Sequence, residues 1–331
     1  MALPASLRSR LLLPAMVAPM FLVSGTELVI ESRKAGLIGT LTRNHCRSHE
    51  EFDAQLVTVR NAMAIVQEVE PNRIIGPLGA NVSITMSPRL RSEALQACRR
   101  HGVDVIVTAG GDPRTVAAEV HDWGGRIFHD VTSVRFAEKA LMAGVDGLIA
   151  IGAGGGGHSG TLSPLALIPQ LRALFDGVIV MAGGIASGDG IRAAEILGAD
   201  LSYLGTRFIA TQESMAPEEY KALLVSQTPA DLIYTDAING VPAMWIKESM
   251  RRLGLDPDNL PRARGHNTEH LPPHVRPWKN LWSAGQGIGL IHDIPRVAEL
   301  VRRLQAQYQA ACAVHSWQGL EGSDDDRNTA A

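Results

Sequence analysis

The sequence predicts an α/β chain closed as a (β/α)8 TIM barrel with a mainly helical insertion after its eighth strand. Two observations carry this. A short apolar run of β type, a glycine- or threonine-rich turn and a helical pattern alternate through the first 209 residues, with eight such runs, the number a closed barrel needs. The glycines gather after the sixth, seventh and eighth runs. A doubly wound open sheet would carry its phosphate-binding glycines after the first run, where the chain reads Phe21-Leu-Val-Ser-Gly25 with no GxGxxG.

In chain order the expected strands are 16–20, 37–40, 74–82, 103–108, 126–130, 147–151, 178–182 and 201–204. Helical patterns lie between them at 50–69, 88–101, 114–123, 133–143, 165–175 and 188–197. Within 133–143, Val134, Ala137, Ala140 and Leu141 fall on one helical face. Gly144 and Gly198 stand just past helix ends, where glycine supplies the left-handed cap, and Asp146 and Asp200 open the strands that follow. After Phe208 the pattern changes. Residues 210–284 hold Pro217, Pro229, Pro242, Pro257, Pro261, Pro272, Pro273 and Pro277 and show no alternating strand run, which reads as helices and a long loop on the active face. Gly285-Gln286-Gly287-Ile-Gly289 leads into a helix over 295–311, in which Val297, Leu300, Val301 and Leu304 share a face that closes the barrel. The expected division is therefore a barrel over 1–209 and 285–318, a helical substrate-side domain over 210–284, and a disordered tail over 319–331.

Composition narrows the function classes. Hydrophobic residues make up 45% and charged residues 20%, too apolar for a disordered chain. A net charge of −3 gives no electrostatic case for nucleic acid or an anionic membrane. Cys46, Cys98 and Cys312 are widely spaced with no CxxC pair, as expected of free thiols in a reducing cytoplasm. Pro14 cuts the apolar run after Arg10 far short of a signal segment, and no stretch approaches the roughly 20 apolar residues of a membrane span. The expected location is cytoplasmic.

Barrel enzymes work on the loops that follow their strands, and phosphate groups often bind after strands seven and eight. Both positions are glycine-rich here: Gly183-Gly184 ends the seventh run, and Gly205-Thr206-Arg207 ends the eighth. Glycines let backbone N–H groups approach a phosphate closely; Thr206 adds a hydroxyl, and Arg207 a charge if it points inward. After the sixth run comes Gly152-Ala-Gly-Gly-Gly-Gly157-His158-Ser-Gly160. Its formal GxGxxG is followed by Thr161-Leu-Ser-Pro164 rather than by a helix. Its glycines suit backbone lying against a flat ring, and His158 is left as the functional side chain, with the pKa of a general base. Asn81 ends the third run with an amide able to meet a heterocycle edge, and Asp130 ends the fifth, aimed at the same mouth. Tyr234, Met244 and Trp245 are expected to extend the apolar wall from the insertion. His45, Cys46 and His49 lack a carboxylate at ligand spacing and sit beside Arg43 and Arg47, so they read as a solvated loop rather than a metal site.

An ordered set of short motifs spans the chain: Pro14…Ala18-Pro19-Met20, Gly79-Ala-Asn81, Thr108-Ala-Gly110, Gly144-Val-Asp146, Gly156-Gly157-His158, Ala182-Gly183-Gly184-Ile, Gly198-Ala-Asp200 and Gly205-Thr206-Arg207-Phe208. The set resembles the nitronate monooxygenase family (formerly 2-nitropropane dioxygenases), FMN-dependent TIM barrels related to the flavin enoyl-ACP reductases. The resemblance implies FMN, with its phosphate on Gly183, Gly184, Gly205 and Thr206 and its ring near Met20, Asn81, Thr108 and Gly157, and Ala18 is a further expected cofactor-binding residue. It also implies His158 as the base that removes the proton α to a nitro group, a small-molecule nitronate as substrate, and O2 as oxidant. The chain departs from many relatives in carrying Ile151 and Gly154 where they have acidic or amide side chains, and Asp130 where some have lysine. A flavin reductase of enones or quinones driven by NAD(P)H is the alternative on the same scaffold. From a different class, a flavin-free phosphosugar isomerase or aldolase would use the same glycines. A homo-oligomer is compatible with all of these readings.

Overall fold

The computed structural model describes residues 2–314; the expected tail over 319–331 and residues 315–318 of the closing segment lie outside them. Eight strands form the barrel: β1 (Ala15–Val17), β2 (Gly39–Thr42), β3 (Leu78–Asn81), β4 (Val105–Ala109), β5 (Arg126–Val131), β6 (Gly147–Ile151), then, beyond a two-residue strand β7 (Gly157–His158) in the loop, β8 (Val178–Ala182) and β9 (Leu201–Leu204). They pair in parallel in the order β1-β9-β8-β6-β5-β4-β3-β2, and a bridge between Met16 and Ile38 joins the two ends. The sheet is closed.

The last three barrel strands occupy the expected bounds. The first and third are shorter than expected, 15–17 against 16–20 and 78–81 against 74–82, because Pro19 and Pro77 have no N–H to give a ladder. A helix the sequence reading lacked, Thr26–Lys34, links β1 to β2 and buries Leu28 and Val29. The closing helix is Val297–Cys312 and buries Val297, Leu300, Val301 and Leu304, as expected.

Strand residues alternate between two cores. Met16, Ile38, Val105, Val107, Phe128, Ile149, Val180 and Leu201 fill the barrel interior, which Leu3 and Leu7 plug from below. Ile106, Ile127, Leu148, Ile179 and Leu204 face the surrounding helices.

A three-residue pattern, glycine, apolar residue, aspartate, recurs at the lower rim. Each aspartate opens a strand and reaches sideways to the strand before it. Asp104 accepts from Leu78 N–H at 2.7 Å, Asp146 from Ile127 N–H at 2.8 Å, and Asp200 from Ile179 N–H at 3.0 Å. Their own N–H groups donate to the carbonyls of the same three residues at 2.8, 2.9 and 2.7 Å. A cation or imidazole then closes each clamp: Arg10 at 2.6 Å, His121 at 2.9 Å and Arg172 at 2.6 Å.

The insertion is less helical than expected. It holds the helices Glu218–Ser226 and Lys247–Arg252, but also the antiparallel hairpin β10 (Leu232–Thr235) and β11 (Ala243–Ile246). β11 pairs in turn with β7, setting Ala243 against His158 and Met244 against Gly157. All four residues of β11 are buried, so no polar–apolar alternation marks it in the sequence, and a hairpin this short needs the third strand to persist. No helix among the described residues is long and apolar enough to cross a membrane.

Asp200 is 1% exposed and also accepts from Ala2 N–H. Asp200→Ala should therefore lower the unfolding free energy by about 3 kcal/mol, leaving buried donors and Arg172 without their acceptor. Asp146→Ala should cost about 1 kcal/mol, because its partner His121 is 42% exposed. Urea midpoints at constant m-value measure both; equal losses would show that burial does not set the strength of the clamps.

Candidate active site

The upper ends of the strands surround a cavity of about 500 Å³, within the range of small-molecule and cofactor sites. Its floor consists of the topmost inward residues: Ala18, Asn81, Ala109, Asp130, Ile151, Ala182 and Tyr203. Small side chains at three of these positions leave the room. Of the ten site residues read from the sequence, nine line the cavity: Ala18, Met20, Asn81, Gly157, His158, Gly183, Gly184, Gly205 and Thr206. Thr108 does not. It shares the outward parity of Ile106, is fully buried, and bonds His129 Nδ1 at 2.8 Å; its neighbour Ala109 has the inward parity and lines the cavity instead. Asn81 is held by its amide, which donates to Val107 O at 3.2 Å.

One end of the cavity is walled by Gly183, Gly184, Gly205, Thr206 and Gly287. Gly183 and Gly184 adopt φ of 121° and 74°, conformations that favour glycine. Thr206 Oγ1 accepts from Gly285 N–H at 2.9 Å, which leaves the hydroxyl hydrogen for an anion. Arg207 points elsewhere. It is 2% exposed and donates to Ala210 O and Asp293 O, both at 2.8 Å, pinning the segment before the closing helix.

His158 stands at the mouth. Asn239 Oδ1 accepts from Val241 N–H at 3.2 Å, which orients its amide to donate to His158 Nε2 at 3.1 Å. Trp278 meets the imidazole edge to face, with ring centres 5.3 Å apart, and leans on Trp245. Although His158 as a residue is exposed, partial loss of water around its ring beside these groups holds its pKa below the ordinary histidine value of 6.5, so the ring is mostly neutral at pH 7. On the floor, burial pushes the Asp130 carboxyl up to about 7. Its Oδ1 is enclosed and has no hydrogen-bond partner. The Tyr203 phenol, on the same floor, is raised well above its ordinary value, first by burial and then by the Asp130 charge.

The insertion contributes to the wall through residues other than those expected. Tyr234 donates to Ser159 O at 2.6 Å, Met244 packs in a separate apolar cluster and Trp245 is fully buried; none of the three lines the cavity. Tyr220, Trp278 and Ser283 do, with Tyr220 stacked on Trp282 and donating to Ser283 O. Trp278 and Ser283 lie in loop with no periodic pattern, so no local signal distinguishes them. Lysine and glutamate, which an aldolase or isomerase would place at a strand end, are missing from the wall among the described residues.

The chain matches the nitronate monooxygenase family over residues 16–307. It is 35% identical over 210 residues to a nitronate monooxygenase of Paraburkholderia phytofirmans, covering 58% of this chain and 57% of that protein. It is 30% identical over 222 residues to a probable nitronate monooxygenase of Staphylococcus saprophyticus, covering 61% and 62%. The chain thus spans about three fifths of the length of these relatives. Among solved structures, a nitroalkane oxidase from Streptomyces ansochromogenes superposes with a TM-score of 0.76 at 25% identity, over 93% of this chain and 99% of that one. With the family match running through barrel, insertion and closing helix, the chain belongs to the nitronate monooxygenase family.

Proposed function

We propose that this chain is an FMN-dependent oxidoreductase that takes the α-proton from a nitroalkane and oxidises the nitronate with O2. The observation that carries the reading is His158, a mostly neutral imidazole lining a cavity that is also walled by Gly183, Gly184 and Gly205. The fit to a phosphate-bearing cofactor rests on Gly205. A Cβ built there would make ordinary contact with Met20 Sδ at 3.6 Å and Ala18 Cβ at 3.7 Å, both of which line the cavity, so a longer side chain would be accommodated only by filling the cradle. Gly183, Gly184, Gly205 and Thr206 would hold the phosphate, and Ala18, Met20, Asn81 and Gly157 would border the ring. Bound there, the flavin supplies the electron acceptor and the reaction with O2.

The chain's own residues supply the rest. In the tautomer that accepts from Asn239 the lone pair of His158 lies on Nε2, so His158 accepts the substrate proton there as the Asn239 amide is displaced; Trp278 packs against the ring. Residues 210–284 form the substrate side of the site in this reading, which the presence of Tyr220, Trp278 and Ser283 on the cavity wall supports. Buried Cys46 and Cys98 and exposed Cys312 are free thiols, which fits a cytoplasmic enzyme.

Anaerobic mixing of the FMN-loaded protein with propyl nitronate should bleach the flavin. Bleaching by NADH or NADPH alone would move the assignment to the reductase reading, and failure to take up FMN would end the flavin reading. With neutral nitroalkane, kcat/KM should rise with pH through a pKa below 6.5 and then level, because only neutral imidazole accepts a proton and burial favours that form. His158→Ala should remove this limb and lower turnover about 10²–10⁴-fold while flavin absorbance is retained; near-normal turnover would show that His158 is not the base. Gly205→Leu should purify colourless with the thermal midpoint of FMN-free wild type, since its φ of −103° suits any residue and only the cradle is filled, so that the stabilisation lost is that of the bound cofactor. A yellow variant would place the phosphate elsewhere.

A further inference from the structure

Asp130 is the one charged residue type on a wall that otherwise offers imidazole, amide, hydroxyl and apolar groups. No lysine or arginine lines the cavity among the described residues. Its register partners are Ala109 on β4 and Ile149 on β6, neither of which has a side-chain donor. Oδ1 is enclosed and without a hydrogen-bond partner. A carboxylate in that position has lost water and gained neither a cation nor a donor, which is costly. A carboxylic acid in the same place keeps an O–H to give, and the side chain lines the cavity.

We propose that Asp130 works as a neutral carboxylic acid that donates its hydrogen bond to an acceptor atom of the heterocycle bound in the cavity. This rests on the flavin reading and assigns a role to a residue outside the glycine cradle and the base. The ligand class it selects is a planar ring with carbonyl or imine acceptors. The group most able to disturb its titration is Tyr203 on β9, whose phenol stays neutral through the working range. His129, next in sequence, faces outward to Thr108, and burial lowers its pKa to about 4. His158 lines the mouth and is mostly neutral above its lowered pKa. The burial that pushes Asp130 up to about 7 makes the acid available at physiological pH.

The sign follows from linkage. If only the protonated acid binds the ring, binding above the free carboxyl's pKa must take up a proton, so affinity falls as pH rises. FMN dissociation constants, measured by quenching of FMN fluorescence from pH 5.5 to 9, give the readout without turnover. In the wild type, affinity should be level at low pH and weaken about tenfold per pH unit well above pH 7. Asp130→Asn, which keeps the shape and an amide donor, should bind FMN with that slope removed. The ionisation of the FMN phosphate near pH 6 affects both proteins alike and cancels in their ratio. Asp130→Ala should bind more weakly than Asp130→Asn at every pH, also without the slope. Parallel pH profiles for wild type and Asp130→Asn would overturn the proposal and leave the flavin reading standing. If the wild type binds no FMN at any pH, both fall together.

Discussion

Register between neighbouring strands is the constraint on which the site depends. A strand exposes alternate residues to opposite faces, so a slip of one residue exchanges every inward side chain for an outward one. The clamps made by Asp104, Asp146 and Asp200 oppose such a slip. Each carboxylate and its own N–H grip one residue of the preceding strand, at the end of the barrel away from the cavity. With register held below, parity fixes what appears above: Asn81, Ala109, Asp130, Ile151 and Tyr203 on the floor, and Thr108 and His129 behind it.

Backbone approach is the second determinant. The glycine-rich loop after β6 lies against the segment that closes the barrel: a Cβ on Gly156 would sit 2.7 Å from Gly285 N, and Gln286 N–H donates to Gly154 O at 2.8 Å. The same loop lends two residues to the hairpin as β7. Insertion, loop and closing segment are thereby joined through main-chain contacts, and His158 sits at their junction. Its position is set by a sheet edge and by Asn239 and Trp278, not by a barrel strand alone.

Loss of water acts oppositely on the histidine and the aspartate that line this cavity. It disfavours charge on both, which lowers the histidine's pKa and raises the aspartate's. Near pH 7 the site therefore holds a mostly uncharged base at its mouth and, on its floor, an acid that is about half protonated. The same low-dielectric wall that produces these shifts suits a flat, mostly apolar ring.

Much of this was legible in the amino-acid sequence. Strands buried on both faces are mostly apolar, so 147–151, 178–182 and 201–204, the last interrupted by Ser202, stand out with these bounds, and Gly144 and Gly198 mark the helix ends before the first and third. Glycines that tolerate positive φ, or that leave a cradle open, announce themselves by type, as Gly183, Gly184 and Gly205 did. The end of a barrel strand faces the mouth, which by itself marks Asp130 as a residue of the site. Side-chain direction and long-range partners were not legible. Thr108 is one residue from the inward position, and the end of a five-residue strand does not declare its parity. Arg207 turns to Asp293, 86 positions away in the chain, where a carboxylate and carbonyls await it. Asn239 reaches His158 from the hairpin whose β11 pairs with β7, Tyr220 is held by Trp282 and Ser283, and Trp278 leans on Trp245, long-range contacts that no local pattern in the insertion encodes. Local chemistry determined the barrel and its glycines; tertiary pairing decided which side chains face the cavity, because direction depends on register and register on partners distant in the chain.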